Sequence, residues 1–328
     1  MYDIITFGSA TQDVLMSSKK LQVVEDEKFI TKKGLCVPLG SKIQMDTVFF
    51  AMGGCGANPA VTFAHQGFKT VYHGMIGKDH AGKTVKDELS KHGVLLDLLI
   101  ETDKYPTAYS VILSLPEVGR SILKKLGACH KMTENDIKFD KLKAKWIYLG
   151  SLSGESYRIV KPIINFAVEN KIKIAANPVG NIQLTKELEN TRSLLNKMDI
   201  LTVNQEEAAR LTGLDFKKEK EIFQKLDEWV DGIVVMNKGS KGVTVSDGRF
   251  LYSAGIPKSG LVDRTGAGDA FGSAFVSGWI EKQDISYAIQ LATANATSCL
   301  QKMGATNGLL KKDEWGEWER VKVEKRKI

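Results

Sequence analysis

The feature that most limits the folds open to this chain is a repeated succession: a short apolar run, a small-residue stop, then an amphipathic helical pattern. Residues 3–7 form such a run and end at Gly8, as a buried strand feeding a tight turn does. Residues 69–76, 145–149, 171–176, 200–203 and 232–236 continue the series. Helical patterns over 57–66, 83–91, 157–170, 205–212 and 219–230 lie between them. Strand followed by helix, repeated, implies an α/β fold with a mostly parallel sheet sandwiched by helices. Residues 269–301 break the rhythm: they read as helical throughout, with one turn at 281–285, packed beside the sheet. Residues 14–50 and 107–123 read as strands without intervening helices, the second as a hairpin across 116–119. Such insertions suit a small β-strand lid over a site. With no internal repeat or low-complexity linker, one domain over 1–310, a lid from roughly 14–50 and 103–125, and a C-terminal segment 311–328 account for the 328 residues.

Composition narrows the partners. Lys and Arg exceed Asp and Glu by 46 to 39, a net charge of +7. Residues 320–328 hold five of the basic residues and one Glu, a net +4, which leaves +3 for the rest. That reads as a solvated, frayed basic tail, and no nucleic-acid motif accompanies it, so no nucleic-acid partner is expected. No apolar run nears the ~18 residues that span a bilayer, and the first residues lack the features of a signal peptide. Cys36, Cys55, Cys129 and Cys299 are scattered without CxxC spacing, which fits a reducing cytoplasm. The five histidines make no ligand pair, and only His130, near the lid, draws notice. Trp315 and Trp318, in an acid-rich stretch, read as packing residues.

Four turns carry candidate chemistry. Thr265-Gly266-Ala267-Gly268 opens a helix whose unpaired N–H groups favour phosphate oxygens or developing negative charge. Asp269 follows at once, awkward for phosphate storage but suited to take the proton of a hydroxyl that attacks phosphorus. A plain Asp N-cap is the structural alternative. Gly53, Gly54 and Gly56 allow close backbone approach to a ligand, and Asn58 both donates and accepts. Asn204 and Glu207, three apart, either position a Mg²⁺–water shell or close a capping box. Residues 237–243, Asn-Lys-Gly-Ser-Lys-Gly-Val, read as a nucleotide-accepting turn or a Gly-rich hairpin.

Together and in this order, these segments resemble the PfkB, or ribokinase-like, carbohydrate and nucleoside kinases. The first signature is Gly53-Gly54-Cys55-Gly56-Ala57-Asn58-Pro59-Ala60 with Gly67 and Gly77; the second is Asp263-Arg264-Thr265-Gly266-Ala267-Gly268-Asp269. The likeness runs from Gly8 to about Gly304. It implies a ribokinase-like fold and Mg²⁺-assisted transfer of the ATP γ-phosphoryl to a primary hydroxyl of a sugar, or in the alternative of a nucleoside. By resemblance Asp269 is the base, and the Gly266, Ala267 and Gly268 amides form the anion hole. Thr11, Asp13, Gly54, Cys55, Gly56 and Asn58 would hold the acceptor. Asn204 and Glu207 would serve phosphate and, through water, Mg²⁺. Asn237, Gly239 and Gly242 would lie along the nucleotide, with Thr293 or Asn295 near the adenine. Asp263, Thr265 and the backbone near Gly304 match a monovalent-cation site, for K⁺.

Arg264, Cys55, Thr11 and Asn237-Lys238 depart from the usual family residues, Cys55 standing where ribokinases usually carry Lys. These departures leave phosphoryl transfer intact but loosen the assignment of ribose and of the cation site. A phosphosugar acceptor would need a cationic cradle, for which Lys104, Arg120, Lys124 and Lys125 are the candidates. Residues 77–84 also satisfy the G-x-x-x-x-G-K-[ST] pattern of a P-loop NTPase. A sugar-sensing protein without catalysis is the non-enzyme alternative. The lid strands leave edges that a second copy, in a homodimer, could pair with.

Overall fold

The computed structural model describes residues 1–29, 32–115, 119–177 and 188–328. In chain order the early strands are β1 (Tyr2–Phe7), β2 (Thr11–Ser17), β3 (Gln22–Glu25), β4 (Lys33–Cys36), β5 (Thr47–Gly53), β6 (Thr70–His73), β7 (Met75–Gly77) and β8 (Ile100–Thr102). Then follow β9 (Ala108–Leu115), β10 (Gly119–Lys125), β11 (Ala144–Leu149), β12 (Lys173–Ala176) and β13 (Ile200–Asn204). The last are β14 (Ile233–Asn237), β15 (Val243–Ser246), β16 (Phe250–Ala254) and β17 (Glu324–Lys327).

Among the described residues the main sheet has nine strands in the order β6-β1-β11-β12-β13-β14-β15-β16-β17. From β6 to β14 every pairing is parallel, and the last three joins are antiparallel. Side chains alternate between two buried layers. Ile5, Phe7, Ile147, Leu149, Leu201 and Val234 meet the helices Val160–Glu169, Gln205–Thr212 and Glu219–Asp227. Ile4, Tyr148, Ile200 and Val235 meet the helices Ala267–Lys282 and Ile285–Cys299. Burial on both faces is why these strands read as unbroken apolar runs in the sequence.

The lid is a separate four-stranded sheet, β10-β9-β2-β5, with β2 parallel to β9 and the other pairs antiparallel. The expected hairpin is there as β9 and β10, while residues 116–118 of its turn lie outside the described residues. Val48, Phe50 and Leu123 leave apolar surface exposed on this sheet.

Several expected elements shift for identifiable reasons. The strand over 69–76 divides at Gly74, because β7 leaves the main sheet to pair with β8. The helix expected over 83–91 starts earlier, at His80, because Asp79 caps it by accepting from the Gly82 N–H at 2.7 Å. The pattern over 157–170 opens with a 3₁₀ stretch, Gly154–Ile159, before the α-helix, whose Pro162 sits in the first turn where no N–H partner is lost.

The largest departure is the tail. Rather than fraying, it returns to the main sheet as edge strand β17, antiparallel to β16. Val321 and Val323 pack against the second core, and the Lys325 ammonium lies 4.0 Å from the centre of the Phe250 ring. Its charge-rich alternation is that of a protected edge strand, paired on one side and hostile to further pairing on the other. Among the described residues no helix is long and apolar enough to cross a membrane.

Deleting residues 323–328 removes these contacts and bares the edge of β16. A loss of about 1–3 kcal/mol in urea unfolding is expected, with concentration-dependent self-association visible by light scattering.

Candidate active site

The parallel strands all end on one side of the molecule, and the chain's progress across the sheet reverses at β1, which has β6 on one flank and β11 on the other. A crevice opens outside the strand ends at such a point. Three backbone segments converge there. Gly8 follows β1 with φ +149°, and a Cβ on Gly56 would stand 2.7 Å from the Gly8 Cα, so neither position has room for a side chain. The Ser9 carbonyl accepts from the Gly56 and Ala57 N–H groups at 3.0 and 3.2 Å. This fixes the start of the helix Ala57–His65 over the end of β1. Cys55 is pinned in the same turn: its Sγ lies 2.9 Å from the Ser151 carbonyl as donor and 3.2 Å from Ser9 Oγ. Burial first, then the nearby Asp269 charge, pushes its thiol above the ordinary range, so it is a held neutral thiol rather than a nucleophile.

Opposite stands the helix Ala267–Lys282. Its N-cap is Gly266, at φ +78° and with no side-chain cap, and a Cβ on Gly266 would strike the Ala305 Cβ at 2.3 Å. The plain N-cap reading of Asp269 therefore fails. Asp269 sits in the first turn and turns its Oδ2 to Asn58, whose Nδ2 donates at 2.9 Å. The carboxyl is raised above the usual carboxylate range, chiefly by burial. The Asn58 bond and Lys124 oppose the shift, while Glu207 and Asp13 add to it.

The acceptor candidates Thr11 and Asp13 lie on the lid strand β2. Thr11 Oγ1 donates to Asp13 Oδ1 at 2.8 Å, and Ser110, the partner of Asp13 across β2 and β9, donates as well. Burial again raises the carboxyl, against these two bonds and the Lys124 charge. Gly53 is placed so that a Cβ would fall 2.0 Å from Asp13 Oδ2. Ser110 was not among the sequence candidates, since only the parallel register of two distant strands brings it to Asp13.

Asn204 and Asn237 end adjacent strands and are register partners. Asn204 closes the capping box: its Oδ1 accepts from the Glu207 N–H and Glu207 Oε2 accepts from its N–H, both at 2.8 Å. The structural alternative is thus realised, yet Glu207 also acts on Asp269 through its charge, and burial raises its own carboxyl. Asn237 Oδ1 accepts from the Gly239 N–H at 2.8 Å; Gly239 and Gly242 follow with positive φ in the β14–β15 turn. Among the described residues no group of three or more His, Cys, Asp or Glu is arranged to hold a metal ion.

A sequence model described as "pfkB family carbohydrate kinase" matches residues 19–312. The chain belongs to this family. The ribokinase of Lactococcus lactis is 30% identical over 278 residues, covering 82% of this chain and 87% of that protein. The cytidine kinase of Thermococcus kodakarensis is 26% identical over 196 residues, 59% of this chain and 64% of that protein. The structure of Arabidopsis thaliana ribokinase complexed with ribose and ATP superposes with a TM-score of 0.76 at 24% identity, covering 94% and 96% of the two chains. The α/β fold is the ribokinase fold, and this pfkB kinase is a phosphotransferase with an alcohol group as acceptor.

Within this pfkB kinase two of the nucleotide candidates make structural bonds, and one alternative fails. Asn295 is fully buried: its Nδ2 donates to the Ala270 carbonyl at 2.9 Å and its Oδ1 accepts from the Leu310 N–H at 2.8 Å. It clamps the helix Ala267–Lys282 to the chain beyond Gly304, with both of its polar atoms bonded within the fold. Thr293 is also buried, donating to the Ile289 carbonyl, beside a crevice walled by Trp315 and Trp318. The P-loop alternative fails because the helix already starts at His80, which leaves no open phosphate-wrapping loop between Gly77 and Gly82. The Gly82 N–H that would meet a phosphate is taken by the Asp79 carboxylate, which Thr107 holds through both its N–H and hydroxyl.

Asn295→Ala tests the clamp. Orphaning two buried partners should cost about 2–4 kcal/mol of stability, while the surviving folded protein should bind ATP within twofold of wild type by calorimetry.

Proposed function

We propose that this pfkB kinase transfers the γ-phosphoryl group of ATP to a primary hydroxyl of a sugar, with Asp269 as the base. The observation that carries the reading is the placement of Asp269: a half-buried carboxylate beside uncapped helix N–H groups, held by Asn58 and not spent on capping. The acceptor hydroxyl gives its proton to Asp269 as its oxygen bonds to the γ-phosphorus, and the bond from that phosphorus to the bridging oxygen breaks, releasing ADP. The Gly266, Ala267 and Gly268 amides receive the charge on the transferring oxygens. Asp13, set by Thr11 and Ser110, accepts from other acceptor hydroxyls, and Asn58 Oδ1, which has no partner among the described residues, borders the same space.

A sparse set of carboxylates fits Mg²⁺, which keeps most of its waters and binds phosphates. Glu207 and Asn204 would hold its water shell, and the ion would neutralise phosphate charge. The relatives support the sugar reading, the Arabidopsis structure containing ribose and ATP. The cytidine kinase relative keeps a nucleoside acceptor as the second reading.

Asp269→Asn should bind ATP yet lose about 10²–10⁴-fold in turnover. Because the Asp269 carboxyl is raised, kcat/KM for the acceptor should fall with acidity from a pH above the ordinary carboxylate range. The sign for stability is the reverse: an acid raised in the folded state stabilises at low pH and loses that contribution as pH rises through its folded value. Asp269→Asn should therefore melt higher than wild type at pH 7, with the gain shrinking on acidification. Unchanged turnover would remove Asp269 from the mechanism.

The acceptor itself is decided by ADP release with ribose, fructose, 2-keto-3-deoxygluconate, adenosine, inosine and cytidine. At least a tenfold preference in kcat/KM for one of the sugars is expected. A preference for a nucleoside selects the second reading.

A further inference from the structure

The lid hairpin reaches the anion loop through an arginine. Arg120, on β10, donates from one guanidinium nitrogen to Thr265 Oγ1 at 2.8 Å, and the same nitrogen stands 3.7 Å from Asp263 Oδ1. The Asp263 side chain is only 12% exposed. Its Oδ1 accepts from the Thr265 N–H at 3.0 Å and the Thr265 hydroxyl at 2.8 Å, and its Oδ2 accepts from the Gly304 N–H at 3.0 Å. Asp263 thus straps the start of the anion loop to Gly304. The neighbouring Ala305 is the residue on which Gly266 rests.

The strap has an electrostatic cost. Asp263 is a carboxylate three residues before amides that must receive a phosphate, and its charge also acts on Asp13. Like charges this close oppose the arrival of a terminal phosphate, and the opposition is strongest where solvent is excluded. Arg120 offsets it. A guanidinium fits this place better than an ammonium, because its charge is permanent and spread over a plane, so that one nitrogen bonds the Thr265 hydroxyl while the group as a whole faces Asp263.

The same lid sheet carries the acceptor candidates, Thr11 and Asp13 on β2 and Ser110 on β9. A second contact joins that sheet to the strap: a Cβ on Gly304 would lie 3.1 Å from the Ala51 Cβ and 3.3 Å from the Phe49 ring, both on β5. The sheet that holds the acceptor therefore also holds the anion loop.

We propose that Arg120 is a positioning residue for the donor's terminal phosphate: it neutralises Asp263 and fixes the Asp263–Thr265 strap, so that the loop accepts a γ-phosphate when the lid sheet lies over the site. The proposal rests on the reading of Gly266–Gly268 as the phosphate cradle. It also assigns the cation facing Asp263 and Thr265 to the chain itself, at the place expected to hold a monovalent ion. With Arg120 about one third exposed and the charges 3.7 Å apart, the pair is worth only about 0–1 kcal/mol to stability, so the effect belongs in ligand binding rather than in folding.

The test compares ATP with ADP by calorimetric titration in the presence of Mg²⁺, for wild type, Arg120→Ala and Arg120→Lys. Arg120→Ala should weaken ATP three- to tenfold while changing ADP by less than twofold, since only the terminal phosphate reaches the loop. Arg120→Lys, which keeps the charge without the planar guanidinium, should recover part of the ATP affinity. The melting temperature should move by less than 2 °C, as roughly expected for a change below 1 kcal/mol. Equal weakening of both nucleotides, or no weakening of either, would overturn the proposal. Failure of the underlying reading gives a different pattern, in which Asp269→Asn keeps its turnover whatever Arg120 does.

Discussion

The hydrogen bond from Asn58 to Asp269 is the contact on which the rest of the site depends. It joins residues 211 positions apart, each in the first turn of a helix, so two helix N-termini meet head to head over the end of β1. A bond of this kind, from a neutral amide to a carboxylate, is stronger than one between neutral groups. It holds only if both helices are fixed independently. One is fixed by the Gly8–Gly56 contact and the Ser9 carbonyl, the other by Gly266 against Ala305 and by Asn295 on the Ala270 carbonyl. Asp269, the base in the proposed reaction, thus faces a partner on a second, independently anchored helix.

Charge is the second constraint. Burial raises Asp13, Glu207 and Asp269, and Asp269 feels the other two. Such a cluster is unfavourable to a polyanionic donor. The opposing terms come from the N-terminus of the Ala267–Lys282 helix, equivalent to roughly half a positive charge, and from cations on the lid. Lys124 lowers both Asp13 and Asp269. Glu207 and Asp269 belong to the core while Asp13 and Lys124 belong to the lid sheet, so the balance is struck across the two sheets.

The parts legible in the sequence were those with local causes. The parallel sheet followed from apolar runs buried on both faces, and the site loops from glycines whose backbones touch. What escaped was set by distant partners. Nothing local distinguishes Asn295 as a clamp from Asn295 as a ligand, because its partners Ala270 and Leu310 are 25 and 15 residues away. Ser110 required the β2–β9 register, and Arg120 required the hairpin to reach Thr265. The tail departs from expectation for another reason. Its net charge suggested solvation, but the apolar positions Val321 and Val323 already alternate with charged ones as in an edge strand.

The two glycine-rich helix starts show why a motif alone does not identify a phosphate site. Residues 77–84 satisfy a phosphate-loop pattern, and like residues 266–269 they open a helix. At the first, Asp79 lies against the open N–H groups, its Oδ1 accepting from Gly82, and two bonds from Thr107 lock it there. Those bonds also hold Asp79 below the usual carboxylate range, although burial opposes them as the largest single influence. An anion supplied by the chain already fills that place. At the second, the N-cap is a glycine with nothing to donate or accept from its side chain, and the carboxylate of the first turn, Asp269, bonds to Asn58. A helix N-terminus is available to a ligand when its own sequence leaves the amides unclaimed. Here that difference rests on where a single aspartate points.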